Sequence, residues 1–278
     1  MANGVSQAVS DASAEVSSST WVDHLARYGL LAKGASYAIV GALAAVLAAG
    51  AGGKATSRSG ALATLSDETG GAVLLGALAA GFAAYGLWRL VQGLFDREDE
   101  GSDLTGLAKR VGYLGRAAIY ALLTYTTLRI LLDGGSSGSE TQEARKTTAQ
   151  AFDLPAGRWL VGAAGACFIG AGLFNGYRAF TQKFEEKWRT EEMSDAEQRW
   201  GTRIGSAGLL ARLVVFSLIG AFLLKAALEY DSQEAVGLDG ALQRVAAASY
   251  GPWLLGLVAA GLVCYGIFCF FEARFRRV

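Results

Sequence analysis

The chain has 278 residues, 52% of them hydrophobic, and its 25 basic residues balance its 25 acidic ones. A neutral total excludes a protein whose overall charge attracts nucleic acid, so any electrostatic role depends on where the charges lie. The 37 glycines and only two prolines are typical of closely packed membrane helices.

The N-terminal segment is polar. Residues 1–20 carry two acidic residues and no basic one, so they lack the positive start and apolar centre of a cleavable signal peptide. We expect a disordered tail. Trp21 and Leu25 follow as interfacial residues that lead into the first apolar stretch.

Four apolar stretches are long enough to cross a bilayer, which takes about 20 residues. They are Gly34–Gly53, Thr69–Trp88, Trp159–Tyr177 and Val245–Phe271. Two shorter runs, Ala117–Leu128 and Leu213–Leu224, have 12 residues each and are bounded by basic residues. Because long basic side chains can extend to the membrane surface, both runs are also compatible with spans. A soluble helical bundle is the alternative.

We therefore predict an all-α membrane protein with six transmembrane helices. Their predicted bounds are about 28–50, 70–94, 111–132, 159–180, 207–228 and 252–272. The segments on the side of the two termini hold 12 Lys and Arg residues, against six on the opposite side. The positive-inside rule then predicts that both termini are cytoplasmic.

The connection between the fourth and fifth predicted helices, residues 181–206, is predicted to continue both of them. Phe180, Phe184 and Trp188 keep helical spacing. Ser194, followed three residues later by Glu197, has the form of a capping box that begins a helix.

The six predicted helices form three tandem copies of one hairpin, in segments 21–101, 102–197 and 198–278. Each odd-numbered helix repeats a glycine, a basic residue and an aromatic residue at intervals of four, as in Gly29, Lys33 and Tyr37. Each even-numbered helix repeats small residues at intervals of five. The repetition predicts a pseudo-threefold bundle. Nine glycines are expected to let helices pack closely: Gly29, Gly112, Gly208, Gly76, Gly81, Gly165, Gly170, Gly256 and Gly261.

The recurring basic residue of the odd-numbered helices is the main candidate for function. Two arrangements are open. The side chains extend past lipid to the headgroups and fix the depth of the helices, or they face one another as a basic ring about 10 Å below the cytoplasmic surface. Such a ring could hold an anion or a lipid phosphate. The candidate ligand-binding residues are Lys33, Arg116, Arg212, Arg89 and Arg178.

No catalytic motif is recognisable. The sequence has no HExxH, CxxC, P-loop or nucleophile-elbow pattern, so we expect no catalytic residue, metal site or cofactor. No Asp or Glu lies inside a predicted span, and Glu229 and Glu272 lie at span ends. This absence counts against proton- or sodium-coupled transport. His24 is interpreted as an interfacial residue. Asn175, which replaces a glycine of the other copies, predicts a hydrogen bond between helices.

The pattern Gly-x3-Lys/Arg-x3-Tyr in the odd-numbered helices, together with Ala-Ala-Gly-x3-Tyr-Gly at Ala79–Gly86 and Ala259–Gly266, resembles an uncharacterised bacterial family of tandem two-helix repeats, largely actinobacterial. The resemblance covers residues 21–278. It implies a polytopic protein of the bacterial plasma (inner) membrane with cytoplasmic termini and no established activity. The second copy departs from the pattern, with Phe174 and Asn175 in place of Tyr-Gly.

These observations favour a non-enzymatic scaffold or accessory protein of the membrane. We expect it to bind anionic lipid or a membrane-protein partner through a basic cluster on the cytoplasmic side. The alternative is a passive or facilitated carrier or channel for a small anion or amphiphile. The expected partners are membrane lipids, anionic phospholipid among them, and a membrane protein, whereas nucleic acid is not expected.

Overall fold

The computed structural model describes residues 20–50, 60–63, 70–95, 103–133 and 139–277. This part of the chain is all-helical, with no strand. The predicted disordered tail lies outside the described residues, apart from Thr20. The α-helices whose ends both lie in the described residues are, in chain order, α1 Thr20–Ala48, α2 Gly71–Phe95, α3 Leu104–Asp133, α4 Glu140–Phe152, α5 Gly157–Thr181, α6 Asp195–Glu229, α7 Leu238–Ala246 and α8 Gly251–Phe275. All are long except α4 and α7.

Five of the long helices, α1, α2, α5, α6 and α8, are long and apolar enough to cross a membrane. The predicted class of membrane protein is therefore supported by length and composition. Helix α3 is also long, with 30 residues, but its basic and polar residues lower its mean hydropathy. The count of six spans stays a prediction.

The long helices pack in the order α3, α2, α1, α8, α6, α5. In all three cases, the second helix of a copy contacts the first helix of another copy. The two helices also contact each other within the first copy and within the third copy. The series curves back on itself, so that Arg212 of α6 lies near enough to Arg116 and Tyr120 of α3 for their charges to interact. The bundle is thus an incomplete ring.

The ring is interrupted within the second copy. Along their described lengths, α3 and α5 do not pack against each other, although the corresponding pairs α1 and α2, and α6 and α8, do. We call the space between these two helices the α3/α5 seam. Pseudo-threefold symmetry therefore holds for five of the six helix contacts.

Glycines allow the close approach at the two closed seams. A Cβ atom on Gly29 would lie 2.6 Å from the Cα of Tyr85, and one on Gly208 would lie 2.5 Å from the Cα of Tyr265. Because real side chains do not tolerate such distances, only glycine lets these backbones meet. Three further predicted glycines are similarly tight: Gly81 against Ala32, Gly261 against Ala211, and Gly165 against the carbonyl of Gly220.

The remaining predicted packing glycines have more space. Around Gly76 and Gly256 the nearest heavy atoms would lie 4.0 and 3.8 Å from an added Cβ, which is ordinary contact. Gly112 and Gly170 have no described atom within 4 Å. The prediction of close packing is wrong at Gly112 and Gly170, because the two helices that carry them do not meet.

The segment between α5 and α6 is not a helical extension of α5. The chain leaves the helix at Gln182, which has a left-handed conformation (φ 54°), and the backbone N–H of Arg189 then donates to the carbonyl of Phe275, 2.7 Å away. Trp188 and Phe184 are buried against the ring of Phe268. Their helical spacing therefore reflects docking on α8, and the predicted continuation of α5 is wrong.

Helix α6 does begin before the apolar run, as predicted. The hydroxyl of Ser194 accepts a hydrogen bond from the backbone of Glu197, and the Glu197 carboxylate accepts one from the backbone of Ser194. The predicted capping box is confirmed.

At the opposite end of the bundle, one carboxylate joins the two short helices. Asp239 of α7 accepts hydrogen bonds from the backbone N–H and the hydroxyl of Thr141, at 3.1 and 2.7 Å, and from the hydroxyl of Ser139. The start of α4 is thereby fixed to α7. No pattern in the sequence indicated this connection.

Candidate functional site

Lys33 lies inside the bundle between two tyrosines. The side chain is buried, with 7% of its surface exposed. Its Nζ donates a 3.4 Å hydrogen bond to the hydroxyl of Tyr85 on α2. It also lies 5.2 Å from the ring centre of Tyr85 and 5.1 Å from that of Tyr265 on α8. The geometry therefore corresponds to the inward-facing arrangement at this position.

Arg89 reaches the same hydroxyl from the next helix turn of α2. Its Nη2 donates to the Tyr85 hydroxyl at 2.7 Å, and its Nη1 donates to Oε1 of Gln92 at 2.7 Å. The guanidinium lies 4.2 Å from the ring centre of Trp88. Tyr85 and Arg89 are four residues apart and so share one helix face. One phenolic oxygen thus accepts from two cations on two helices.

Arg212 repeats the arrangement in the third copy. Its Nη1 donates a 2.6 Å hydrogen bond to the hydroxyl of Tyr265, and its guanidinium lies 4.6 Å from the ring centres of both Phe216 and Tyr265. The position of Tyr265 in the third copy corresponds to that of Tyr85 in the first. Both closed seams therefore contain a hydrogen bond from the repeated basic residue to a tyrosine.

Arg116, the basic residue of the second copy, differs. Its side chain is exposed, and its guanidinium lies 5.8 Å from the ring centre of Tyr113, a ring that Arg89 also approaches at 5.5 Å. Phe174 occupies the position of the partner tyrosine and has no hydroxyl to accept a hydrogen bond. Among the described residues, Arg116 has no side-chain hydrogen bond.

Arg178 lies three residues before the end of α5 and is half-buried. It lies near enough to Glu272 of α8 for their charges to interact, but within the described part of the chain it makes no side-chain hydrogen bond.

Cations and tyrosines alternate across the bundle from α3 to α6 in the order Arg116, Tyr113, Arg89, Tyr85, Lys33, Tyr265 and Arg212. We call Lys33, Arg89, Arg116, Arg178 and Arg212 the basic cluster.

The basic cluster has a surplus of positive charge. Across the described residues, none of its five members forms an ion pair. The buried carboxylate of Glu272 is paired at 3.2 Å with Arg276, outside the cluster. In addition, the Nε atoms of Arg89 and Arg212 are buried without a hydrogen-bond partner in the described structure. Charges held inside a protein are costly unless they are compensated, so the arrangement favours an anion.

The cluster lies below one end of the bundle. Arg89 is six residues from Phe95, the last residue of α2, which corresponds to about 9 Å along the helix axis. Its level is therefore that of a lipid headgroup or slightly deeper, if α2 ends at the membrane surface. The role of the five residues in binding a ligand stays a prediction.

Sequence reasoning missed the tyrosines that hold the cluster together. Tyr85 and Tyr265 belong to the repeated Tyr-Gly pattern, and the four-residue interval from Tyr85 to Arg89 was the available signal. Asn175 was predicted to bond between helices, but its Nδ2 donates to the carbonyl of Ala171 in its own helix, at 2.7 Å. That prediction is wrong, because the preceding turn of α5 satisfies the amide locally.

The rings of Tyr37 and Tyr120 pack against the two tyrosines of the cluster. The ring of Tyr37 lies 4.7 Å from that of Tyr265, and the ring of Tyr120 lies 4.3 Å from that of Tyr85.

Within the residues that the structure describes, no group of three or more His, Cys, Asp or Glu side chains is placed to hold a metal ion.

The chain is similar to a family of repeated domains and to a bacterial protein of nearly the same length. A family model described as Domain of Unknown Function (DUF1206) matches three segments, 28–96, 111–182 and 207–276. The chain is 32% identical over 258 residues to the protein named "Uncharacterized protein YxxB" of Bacillus subtilis (strain 168), covering 93% of this chain and 92% of that protein. No solved structure gives a significant match. The predicted resemblance to an uncharacterised bacterial family is confirmed, and the chain belongs to the DUF1206 family, whose domain it carries in three tandem copies.

Proposed function

We propose that this protein is a non-enzymatic accessory protein of the bacterial plasma membrane that binds an anionic phospholipid through the basic cluster. The observation that carries the proposal is the surplus of charge. Five cations converge near one end of an apolar bundle, none of them forms an ion pair in the described structure, and the buried carboxylate beside them, Glu272, is already paired with Arg276. A lipid phosphate supplies the missing negative charge. Basic pockets between helices on the cytoplasmic side bind such headgroups.

The proposal includes six spans, with α3 as the sixth. The 30 residues of α3 are about 45 Å long, which exceeds the thickness of the hydrocarbon core. Arg110 of α3 donates to the carbonyls of Gly93 and Leu94 at the end of α2, at 3.0 and 2.9 Å. These bonds keep α3 beside a helix that is itself apolar enough to span. Six spans return the chain to its starting side, and the distribution of Lys and Arg favours the cytoplasm for that side.

The tyrosines give the cluster a fixed geometry. The hydroxyls of Tyr85 and Tyr265 accept from the cations, which orients the basic groups before a ligand arrives. Arginine presents several N–H donors that match phosphate oxygens. Each basic residue near an anionic membrane surface contributes about 1 kcal/mol of attraction. A preorganised group of five is therefore expected to prefer an anionic over a zwitterionic headgroup.

Native mass spectrometry tests the proposal. The protein is purified with phosphatidylglycerol, and wild type is compared with the variant Lys33→Leu/Arg116→Leu/Arg212→Leu. The matched control, Lys183→Leu/Arg199→Leu/Arg203→Leu, removes the same charge from exposed positions outside the cluster. We expect wild type and control to retain the lipid and the cluster variant to lose it. Equal retention by all three proteins, each confirmed to be folded by its thermal unfolding, would contradict the proposal.

A second candidate function is passive transport of a small anion or amphiphile. The observation that favours it is the interrupted ring, because the α3/α5 seam gives the bundle interior a side opening. Uptake of radiolabelled phosphate or of a fluorescent anionic amphiphile into proteoliposomes separates the two functions. A carrier would accelerate uptake over protein-free vesicles, whereas a lipid-binding accessory protein would not.

A further inference from the structure

The α3/α5 seam lacks each contact that closes the other two seams. In the first copy, Gly29 meets the backbone of Tyr85, Ala32 meets Gly81, and Lys33 donates to the Tyr85 hydroxyl. The third copy repeats these contacts through Gly208, Ala211, Arg212, Gly261 and Tyr265. Closure therefore consists of a backbone contact, a small-residue contact and a hydrogen bond.

The second copy has residues of similar or smaller size at these positions, yet it is open. Gly112, Gly115 and Gly170 occupy the positions of Gly29, Ala32 and Gly81, and none of them has a described atom within 4 Å of an added Cβ. Size therefore does not keep the seam open. The chemical difference is Phe174, which gives Arg116 no hydroxyl to which it could donate.

Both sides of the seam are apolar and exposed. Ile119 and Leu122 of α3, and Leu173 and Phe174 of α5, have more than half of their surface exposed. A membrane helix satisfies its backbone internally and presents such side chains to hydrocarbon. The seam therefore requires an apolar occupant at this depth.

The basic cluster places two cations at the seam, one on each side. Arg116 lies on α3 and Arg178 on α5, and neither forms an ion pair or a side-chain hydrogen bond in the described structure. Behind them, the guanidinium of Arg89, which is 5% exposed, keeps one buried donor without a partner. An apolar slot that leads to unpaired cations is complementary to one kind of molecule, an anionic amphiphile.

We propose that the α3/α5 seam is the entrance through which an anionic phospholipid reaches the basic cluster directly from the bilayer. One acyl chain lies between α3 and α5, and the phosphate binds Arg116 and Arg178. This inference rests on the proposed function. It adds the route by which the lipid enters and the requirement that the ligand carry an acyl chain. A free anion makes no favourable contact with an apolar slot. A lipid makes hydrocarbon contact there and neutralises the two cations.

Photo-crosslinking tests the route. A phosphatidylglycerol that carries a diazirine in one acyl chain is reconstituted with the full-length protein, activated by light and located by peptide mass spectrometry. We expect the label on α3 and α5, and we expect millimolar inorganic phosphate not to reduce it. Label distributed evenly around the six long helices would overturn the inference, as would displacement of the lipid by inorganic phosphate.

Filling the seam gives a second test. Gly170→Trp places a large side chain in open space, so folding is expected to be retained, and it should lower lipid retention in native mass spectrometry about tenfold. Leu257→Trp is the matched control, because it places the same side chain at a position of α8 that is 73% exposed and lies away from the seam. Equal retention by both variants would overturn the seam as the route. If lipid retention is unchanged by Gly170→Trp but still depends on Lys33 and Arg212, the lipid-binding function stands and the lateral route fails. If retention does not depend on the basic cluster, both fail.

Discussion

Arg212 and Tyr265 are joined by a 2.6 Å hydrogen bond across the closed seam between α6 and α8. The first copy has the corresponding bond between Lys33 and Tyr85, at 3.4 Å. Hydrogen bonds with a charged donor are among the stronger ones in proteins, and a low dielectric strengthens them. The second copy has an arginine at the donor position but Phe174 at the acceptor position. At the acceptor position, the missing phenolic oxygen distinguishes the second copy from the two copies whose seams are closed.

Phe174→Tyr is expected to close the α3/α5 seam in a larger fraction of molecules. The new hydroxyl can accept from Arg116, and a hydrogen bond to a charged group contributes about 1.5–3 kcal/mol. The measurement is the distance between spin labels at positions 119 and 173, by pulsed electron spin resonance, in a background without native cysteines. We expect a shift to shorter distances. The control is Phe174→Leu, and the same distance distribution in both variants would count against the hydroxyl as the closing element.

Glycine-to-alanine substitutions at equivalent positions of two copies should differ in effect. Gly29→Ala forces a Cβ to within 2.6 Å of the Tyr85 backbone, and such overpacking typically costs about 1–3 kcal/mol. Gly112→Ala meets no described atom and gains helix propensity of up to about 1 kcal/mol. Thermal unfolding in detergent should show a lower midpoint for the first variant and an equal or higher one for the second. Equal losses at both positions would contradict the interrupted ring.

Tyr85→Phe should loosen the basic cluster while preserving the ring packing. The substitution removes the oxygen that accepts from both Lys33 and Arg89, and we expect a loss of about 1.5–3 kcal/mol in the free energy of unfolding. Tyr125→Phe is the control, because the Tyr125 side chain is exposed. Chemical denaturation of both variants provides the comparison. Similar stabilities would mean that the shared hydroxyl does not organise the cluster.

Two neighbouring arginines at the C-terminus allow a test of the buried ion pair. Glu272 pairs with Arg276 at 3.2 Å, and both side chains are 6% exposed, whereas Glu191 pairs with Arg277 on the surface. Glu272→Gln removes a buried counter-charge, which typically costs about 3–5 kcal/mol. Glu191→Gln should have little effect because surface pairs contribute little. Unfolding measurements that rank the two variants in the opposite order would contradict the burial of the Glu272 pair.

Much of the architecture could be predicted from the sequence. Apolar runs and the threefold repetition indicate helices and tandem hairpins, because both features depend on local patterns. The interrupted ring could not be predicted in the same way, since Gly112 and Gly170 repeat the packing pattern of the other copies. Only the departure at Phe174 and Asn175 marked the second copy as different.

The loop after α5 shows a different limit. Phe184 and Trp188 keep the spacing of a helix, but their rings pack on Phe268 of another helix, and the chain turns at Gln182 to allow it. Tertiary packing overrides local periodicity in such cases. For the candidate site, the repeated basic residues were visible as a set, whereas their tyrosine partners depend on which helices are neighbours.

In the proposed function, the basic cluster holds an anionic phospholipid that reaches it through the α3/α5 seam. The most direct test is an electron cryo-microscopy structure of the full-length protein in nanodiscs of phosphatidylglycerol, with a bound antibody fragment to aid alignment. We expect density for a phosphate beside Arg116 and Arg178 that continues as an acyl chain between α3 and α5. A closed α3/α5 seam, or an open seam without lipid density beside these two arginines, would contradict it.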